Sequence, residues 1–311
     1  MTARTPATLI GGYLGAGKTT LVNALLRGAG GLRLAVLVND FGELAIDADL
    51  IEAREGNLLN ISGGCICCAY GSDLVAAVME LKAGPRPIDH LLIETSGVAL
   101  PASIAQSLRL MPDIDLGGIV VLADAETVRE RAGDRYMGDT VRAQLAASDI
   151  VILNKIDLVS PAELAVTRNW LSEAAPRARV VPAQRAAVPP ELILMQHGEA
   201  STARFLASGH DPTTQLASVN LEITGHGDPE ALAAALADAS LHLLRAKGIV
   251  ADRGGSMIAI HVMGGRTAVE PAPFATHGTG RLVCIGLAHE IDAKAVVAAV
   301  GACPEFAARI A

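Results

Sequence analysis

An eight-residue segment, Gly12-Tyr-Leu-Gly-Ala-Gly-Lys-Thr19, constrains the fold more than any other part of this chain. It follows a short apolar run, residues 7–10, and precedes a helical pattern over residues 19–26. A strand therefore leads into a glycine-rich loop, and the loop opens a helix. Backbone N–H groups of such a loop and the helix N-terminus converge on phosphate oxygens. The segment predicts a phosphate-binding loop.

The residue types in this loop predict individual roles. Lys18 is expected to reach the β- and γ-phosphates, and the Thr19 hydroxyl to bind Mg²⁺. Gly15 and Gly17 let the backbone approach the phosphates because no Cβ stands in the way. The expected nucleotide-binding residues of the segment are Gly12, Gly15, Ala16, Gly17, Lys18, Thr19 and Thr20.

The identity of the base is predicted by a second motif, Asn154-Lys-Ile-Asp157, which closes an apolar run over residues 150–154. The Asp157 carboxylate can accept hydrogen bonds from guanine N1–H and from the exocyclic amine. Adenine has no such pair of donors, so the motif favours GTP over ATP. Asn154 is expected to hold the loop and contact the base, with the Lys155 stem over the ring face.

Three thiols lie close together in Cys65-Ile-Cys67-Cys68. Neighbouring cysteines cannot form an unstrained disulfide with each other, and clustered thiolates suit Zn²⁺, Cu(I) or Co²⁺. Three sulfurs leave a tetrahedral ion one ligand short, which fits a transferred ion better than a structural one. Buried apolar cysteines and a redox pair stay open as alternatives. Cys284 and Cys303, the other two cysteines, are interpreted as structural.

Carboxylates complete the candidate site. Residues 90–94 have the pattern of a buried strand that delivers Glu94 at its carboxyl end, where parallel sheets bind ligands. Glu94 is therefore a candidate for holding Mg²⁺, and the Gly97 N–H for contacting the γ-phosphate. Lys18, Thr19 and Glu94 form the expected catalytic set.

A specific family resemblance rests on these motifs. The chain resembles the CobW/HypB/UreG family of metallochaperone GTPases, and its CobW-like branch most of all. The resemblance is carried by Gly12–Thr19, Asn39-Asp-Phe-Gly-Glu43, Gly64-Cys-Ile-Cys-Cys68, Glu94-Thr-Ser-Gly97, Asn154-Lys-Ile-Asp157 and Leu243-Leu-Arg-Ala-Lys-Gly248. It covers most of the chain, and the N-terminal motifs are the more specific ones.

The resemblance implies a GTPase that depends on Mg²⁺, binds Zn²⁺ or Co²⁺, and passes that ion to an apo-metalloprotein or a cofactor-biosynthesis enzyme. Cys65, Cys67 and Cys68 would hold the transferred ion, with Asp40 and Glu43 as further candidate ligands. Asp40 stands where the family usually has glutamate, and the histidine-rich run of many members is absent. A homodimer across the nucleotide face is expected from the resemblance alone.

The order of strand and helix patterns predicts the fold class. Apolar strand patterns at residues 7–10, 34–38, 90–94, 119–123, 150–154 and 178–181 alternate with helical patterns. Such alternation is typical of α/β proteins with a mostly parallel sheet. We therefore expect a three-layer P-loop NTPase domain. Residues 50–52 and 58–61 are expected to form an added hairpin that places the cysteine loop.

The domain organisation is predicted from composition and pattern. Residues 1–190 would form the GTPase domain and residues 191–216 a linker. Residues 217–311 would form a small α+β domain of the kind that resembles the CobW C-terminal domain. Its expected elements are a strand over residues 218–223, a helix over 229–246, strands around residue 249 and at 258–262 and 282–286, and a final helix from Asp292.

Composition and charge narrow the function classes. The net charge of −8 argues against nucleic acid or an anionic membrane as the main partner. The apolar runs have the length of strands, so no transmembrane helix is expected, and no secretory signal is recognisable. Three close thiols and an odd number of cysteines favour a reducing cytoplasm.

Three hypotheses remain on the sequence alone. In the first, GTP and Mg²⁺ order the loops around the cysteines, and hydrolysis releases the metal ion to a client. In the second, the chain is a metal-regulated binding module with negligible hydrolysis in the absence of a partner. In the third, the thiols oxidise reversibly and the chain is a redox-sensing GTPase.

Overall fold

The computed structural model describes residues 4–38, 58–60, 75–76, 78–79, 88–194, 216–272 and 279–311. The chain divides into two compact units, Met1–Phe205 and Leu206–Ala311. Each unit has a sheet and a hydrophobic core of its own. The predicted linker, residues 191–216, falls largely outside the described residues, so its boundaries stay predictions.

The first unit is built on a parallel sheet of seven strands in the order β3-β2-β4-β1-β5-β6-β7. Its strands are β1 (Thr5–Gly12), β2 (Leu34–Val38), β3 (Leu58–Asn60), β4 (His90–Glu94), β5 (Ile114–Asp124), β6 (Ile150–Asn154) and β7 (Arg179–Pro182). Residues of β2, β4 and β6 are all buried, because a parallel sheet with both faces covered needs nearly continuous apolar strands. The six strands predicted for this domain are confirmed.

Helices follow most of these strands. They are α1 (Lys18–Arg27), α2 (Pro101–Arg109), α3 (Val128–Gly133), α4 (Gly138–Ala146), α5 (Pro161–Ala174) and α6 (Glu191–Leu194), with a 3₁₀ turn at Ile156–Leu158. Proline occupies the first turn of α2 and of α5, where its missing N–H costs no helical hydrogen bond. At α5 the side chains of Ser160 and Glu163 form a reciprocal capping box.

Two layers of helices cover the sheet, as the predicted fold class requires. Apolar residues of α2, α4 and α5 share one core with Leu9, Leu37 and Ile93. Thr8 and Ile10 alternate with this face and point to the opposite one, where the Thr8 hydroxyl donates a hydrogen bond to the Ile193 carbonyl of α6. The three-layer α/β fold is confirmed.

The edge strand β3 covers one arm of the predicted hairpin. Residues 58–60 pair in parallel with β2, so they extend the main sheet. Residues 50–52, the expected partner, lie outside the described residues, so the hairpin stays a prediction. Parallel pairing brings the carboxyl end of β3 to the same edge as the other strand ends, and the cysteine segment follows this end in the sequence.

The second unit has a mostly antiparallel six-stranded sheet in the order β11-β10-β9-β12-β8-β13. The strands are β8 (Leu216–Gly227), β9 (Leu243–Asp252), β10 (Met257–Met263), β11 (Arg266–Pro271), β12 (Gly280–Leu287) and β13 (Phe306–Ile310). Helices α7 (Pro229–Leu236) and α8 (Ala293–Gly301) contact each other and share the core of the sheet. The predicted α+β architecture is confirmed.

One helix of this unit was predicted too long. The helical pattern over residues 229–246 ends at Leu236, and a left-handed residue, His242 (φ 52°), precedes β9. Residues 243–252 then form a central strand, hydrogen-bonded to β10 on one side and β12 on the other. Alanine and leucine have high helix propensity, but pairing on both edges of β9 overrides it.

Two strands were missed. The β10–β11 hairpin turns at Gly264-Gly265, a pair that marks two-residue hairpins and that was available in the sequence. β13 pairs with β8 at the sheet edge. No helix among the described residues has the length and apolar character needed to cross a membrane.

Candidate nucleotide site

The phosphate loop connects the carboxyl end of β1 to the first residue of α1. Gly12, Gly15 and Gly17 have φ values of 131°, 76° and 106°, a region that favours glycine. A Cβ at Gly12 would lie 2.4 Å from the Leu122 carbonyl oxygen, and one at Gly17 would lie 2.6 Å from Asn154 Nδ2. The loop therefore needs glycine for both its backbone conformation and its close packing.

Lys18 and Thr19 begin α1 at the carboxyl edge of the sheet. The buried Lys18 Nζ donates to the Tyr13 carbonyl at 3.5 Å. The Thr19 hydroxyl donates to Glu94 Oε1 at 3.0 Å. The structure thus brings together all three predicted catalytic residues at one end of the loop, with Thr20 exposed on the same helical turn.

The oxygen donors beside α1 fit Mg²⁺. Glu94 is 2 % exposed, and its carboxylate meets a hydroxyl at the N-terminus of a helix. Hydroxyl and carboxylate oxygens are the ligands that Mg²⁺ prefers, usually together with waters and substrate phosphates. Thr19 and Glu94 are the residues that would hold the ion.

Asn154 joins three loops at the other end of the site. Its Nδ2 donates to the Ala16 carbonyl of the phosphate loop at 2.9 Å, and its Oδ1 accepts from the Ala186 N–H at 2.7 Å. The side chain is buried, so both halves of the amide are used inside the protein. The predicted role of Asn154 in holding a loop agrees with this geometry.

Lys155 and Asp157 follow Asn154 at the carboxyl end of β6. Lys155 has a left-handed backbone (φ 62°), and its Nζ forms an ion pair with Asp124 Oδ2 at 2.6 Å. Asp124 is the last residue of β5, so a neighbouring strand end anchors the lysine head. Asp157 lies in the 3₁₀ turn after β6 and is exposed, as a carboxylate that receives a base from solvent would be.

The loop after β4 packs directly on the phosphate loop. A Cβ at Gly97 would lie 2.5 Å from Leu14 Cδ2 and 2.9 Å from the Leu14 backbone nitrogen. The Arg131 guanidinium of helix α3 stands 5.8 Å from the centre of the Tyr13 ring. The phosphate loop therefore contacts both the Gly97 loop and helix α3.

Sequence reasoning missed three elements of the site. They are the loop after β7, where Arg185 and Ala186 both have left-handed backbones (φ 49° and 53°), the Asp124 anchor, and the buried amide of Gln144. The rule that ligands bind at the carboxyl ends of parallel strands indicates the first two, since each follows a predicted strand. No sequence signal indicates Gln144, because its partners are backbone carbonyls.

The predicted ligands of the transferred ion lie outside the described residues. They are Asp40, Glu43, Cys65, Cys67 and Cys68. Of the remaining cysteines, Cys284 is fully buried in β12, and burial raises the pKa of its thiol to about 12. A thiol that stays protonated is a poor metal ligand, which agrees with a structural role for this residue.

Comparison with known protein families identifies the chain. Residues 6–182 match the family described as CobW/HypB/UreG, nucleotide-binding domain. The chain belongs to the CobW/HypB/UreG family. Residues 216–304 also match the domain described as the cobalamin synthesis protein cobW C-terminal domain. The matches confirm the resemblance and cover both units of this CobW-family chain.

Curated relatives agree with this assignment. The chain is 28 % identical to the "Zinc chaperone CobW" of Sinorhizobium sp over 96 % of both chains. It is 30 % identical to the "Zinc-regulated GTPase metalloprotein activator 1" of Dictyostelium discoideum over 61 % of this chain and 48 % of that protein. The crystal structure of Zn(II)-bound YjiA GTPase from E. coli is 19 % identical, with a TM-score of 0.46 over 98 % of this chain and 100 % of that one.

Proposed function

We propose that this chain binds and hydrolyses GTP, and that its nucleotide state controls the binding and transfer of Zn²⁺ or Co²⁺ to a client. The observation that carries the proposal is the arrangement of Lys18, Thr19, Glu94 and Asn154 around one phosphate loop. Phosphate-end residues and base-end residues lie at the same carboxyl edge of the sheet, which is where a nucleoside triphosphate would span them.

At the phosphate end, the chain supplies positive charge and hydrogen-bond donors. The loop N–H groups and the N-terminus of α1 favour anions. Lys18, which donates to the Tyr13 carbonyl, would exchange that bond for the β- and γ-phosphate oxygens. Mg²⁺, when bound by Thr19 and Glu94, would neutralise charge on those oxygens.

At the base end, Asp157 provides the discrimination. Its exposed carboxylate offers two acceptors to the N1–H and amine of guanine, and it would be left unpaired against adenine. The Asp124 ion pair holds the Lys155 head, so the lysine stem is available to cover one face of the ring. Asn154 ties the end of β6, which precedes Lys155 and Asp157, to the phosphate loop.

The metal part of the proposal rests on Cys65, Cys67 and Cys68, with Asp40 and Glu43 as additional ligands. Three neighbouring thiolates suit a thiophilic divalent ion and leave a position open for exchange. The names of the curated relatives support zinc as the ion. The client would be an apo-metalloprotein or an enzyme of cofactor biosynthesis.

A first experiment tests which nucleotide the chain binds and whether the chain hydrolyses it. Competition of GDP, GTP, ADP and ATP against a fluorescent GDP analogue should give a guanine preference, and phosphate release from GTP should need Mg²⁺ and Lys18. A preference for adenine nucleotides would contradict the base assignment. If GTP turnover stays absent with every metal ion and client tested, the hypothesis of a binding module without hydrolysis is favoured.

A second experiment tests the metal and its coupling to the nucleotide. Anaerobic Co²⁺ titration of the reduced protein, apo, with Mg²⁺-GDP and with a non-hydrolysable Mg²⁺-GTP analogue, is read by thiolate-to-metal absorbance. Cys67→Ala should remove the band, whereas Cys303→Ala, which deletes a buried thiol in the other unit, should keep it.

Linkage sets the requirement for coupling. If GTP tightens Co²⁺ binding by some factor, Co²⁺ must tighten GTP binding by the same factor. Independent affinities would contradict a nucleotide-controlled site. The lack of a thiolate band in every nucleotide state, together with a reversible disulfide, would favour the redox-sensing GTPase.

A further inference from the structure

A buried amide on helix α4 is bonded to the loop that follows Glu94. Gln144 is 1 % exposed, and its Nε2 donates to the Gly97 carbonyl at 3.1 Å and to the Ala99 carbonyl at 2.8 Å. An amide nitrogen carries two hydrogens, so both are used on this one loop. Gln144 lies outside every motif that defines the nucleotide site.

The loop packs against the core through Ala99 and has few other hydrogen bonds described for it. The Thr95 N–H donates to the Ile10 carbonyl of β1 at 2.9 Å, and the Ala99 N–H closes a turn onto the Ser96 carbonyl at 3.0 Å. The Val98 N–H donates to Ser96 Oγ at 3.3 Å. The first of these bonds ties the start of the loop to β1, and the other two close the turn. Among the hydrogen bonds described for residues 97–99, only those from Gln144 attach them to helix α4.

The position of this loop affects two parts of the nucleotide site. It begins next to Glu94, which accepts the Thr19 hydroxyl, and its Gly97 packs on Leu14 of the phosphate loop. A shift of residues 97–99 would therefore change the packing on the phosphate loop and the approach of the Gly97 N–H to the γ-phosphate.

We propose that Gln144 is a positioning residue for hydrolysis, which holds the loop of residues 95–99 in the conformation that serves the γ-phosphate. The inference rests on the proposed GTP hydrolysis, and Gln144 itself does not touch the nucleotide. The role requires a side chain with two hydrogen-bond donors at this buried position. A carboxylate would place lone pairs against two carbonyl oxygens, and an aliphatic side chain would leave both carbonyls without a donor.

The test compares Gln144→Glu with Gln106→Glu, the same change on the exposed face of helix α2. GTP turnover and affinity for a fluorescent GDP analogue are measured between about pH 6 and pH 8. At the upper pH, Gln144→Glu should lower kcat on the order of 10- to 100-fold, since small misplacements of a reacting group cost this much. GDP affinity should fall by a much smaller factor than kcat, because GDP lacks the γ-phosphate and meets the loop of residues 95–99 only through its packing on the phosphate loop.

The pH profile tests the need for a donor at residue 144, and the GDP affinity measured over the same pH range shows whether the protein stays folded. Burial and the two carbonyl dipoles raise the pKa of the introduced carboxyl, and its protonated form regains one O–H donor. The kcat of Gln144→Glu relative to wild type should therefore recover as the pH falls, while the ratio for Gln106→Glu stays flat. A kcat equal to that of wild type across this range would overturn the proposal.

Two further measurements make the result independent of folding and of the proposed function. Gln144→Asn keeps the amide but is one methylene too short to reach both carbonyls, so it should lower kcat without a pH-dependent recovery. If wild-type protein shows no GTP turnover, the proposed function fails, and amide exchange at Val98 and Ala99 still decides whether Gln144 holds the loop. Faster exchange in Gln144→Asn than in Gln106→Glu supports this holding role, and equal exchange overturns it.

Discussion

Replacement of Asn154 by alanine should destabilise the first unit more than the replacement of an exposed asparagine by alanine. The buried Asn154 amide satisfies the Ala16 carbonyl at 2.9 Å and the Ala186 N–H at 2.7 Å. A buried polar group that loses its partner costs about 1–3 kcal/mol. Two such groups would give about 2–6 kcal/mol, and water entering the new space reduces that sum, so we expect a loss of about 3 kcal/mol.

The assay uses the single tryptophan of the chain. Trp170 lies on α5 and packs against the core of the first unit, so its fluorescence follows the unfolding of that unit alone. Urea unfolding of the apo protein should show a lower midpoint for Asn154→Ala with an unchanged slope. Asn169→Ala, on the exposed side of the same helix as Trp170, is the matched control and should stay near wild type.

A small effect would refute the reasoning. If Asn154→Ala lowered the free energy of unfolding by less than about 1 kcal/mol, the two bonds could not be the groups that hold these loops together. In that case the left-handed backbone of residues 185–186 would have to be stabilised by other contacts.

Three further predictions follow from the same geometry. Gly17→Ala should abolish binding of a fluorescent GDP analogue, because its Cβ meets Asn154 Nδ2 at 2.6 Å. Gly15→Ala, whose Cβ has no protein atom within 4 Å, should leave the packing of the loop intact and weaken binding through backbone strain of about 1–2 kcal/mol and through the approach of its Cβ to the phosphates. Asp157→Asn should shift the preference from GTP to xanthosine triphosphate in a competition assay, because an amide donor then faces the xanthine carbonyl; unchanged GTP preference would contradict the assignment of Asp157. Burial raises the pKa of the Glu191 carboxyl, so the folded state binds this proton more tightly than the unfolded state. The stabilising effect of this bound proton is present below the pKa of Glu191 in the unfolded state and is lost as the pH rises through its pKa in the folded state. The stability advantage of Glu191→Gln over wild type, measured by urea unfolding, should therefore grow from about pH 5 to about pH 8.

The parallel sheet was predictable because each of its central strands is indicated by a short local pattern in the sequence. Each central strand is a short apolar run followed by a glycine or a polar residue, and residues 34–38, 90–94 and 150–154 have the bounds that the runs indicate. Burial on both faces excludes the alternating pattern of a half-exposed strand. The site residues at the strand ends follow from the same reasoning, because the carboxyl edge is shared.

The parts that could not be predicted depend on contacts distant in sequence. Residues 243–246 have a helical composition, and only pairing with β10 and β12 makes them a strand. Gln144 contacts carbonyls 45 and 47 residues away, and a backbone carbonyl leaves no mark in the sequence. The ion pair between Lys155 and Asp124 likewise needs the register of β5 beside β6.

The two hydrogen bonds of Asn154 contribute free energy both to folding and to nucleotide binding. Nucleotide binds the arrangement in which the loops after β1, β6 and β7 are held together, and it stabilises the fold by an amount set by its concentration relative to its Kd. If the loops separate in apo Asn154→Ala, bound nucleotide must first bring them together again. The affinity should then fall by no more than the free energy that the substitution removes from the fold, because no bond other than those two has been lost. A larger fall in affinity would mean that the Asn154 amide contacts the base directly, in addition to holding the loop.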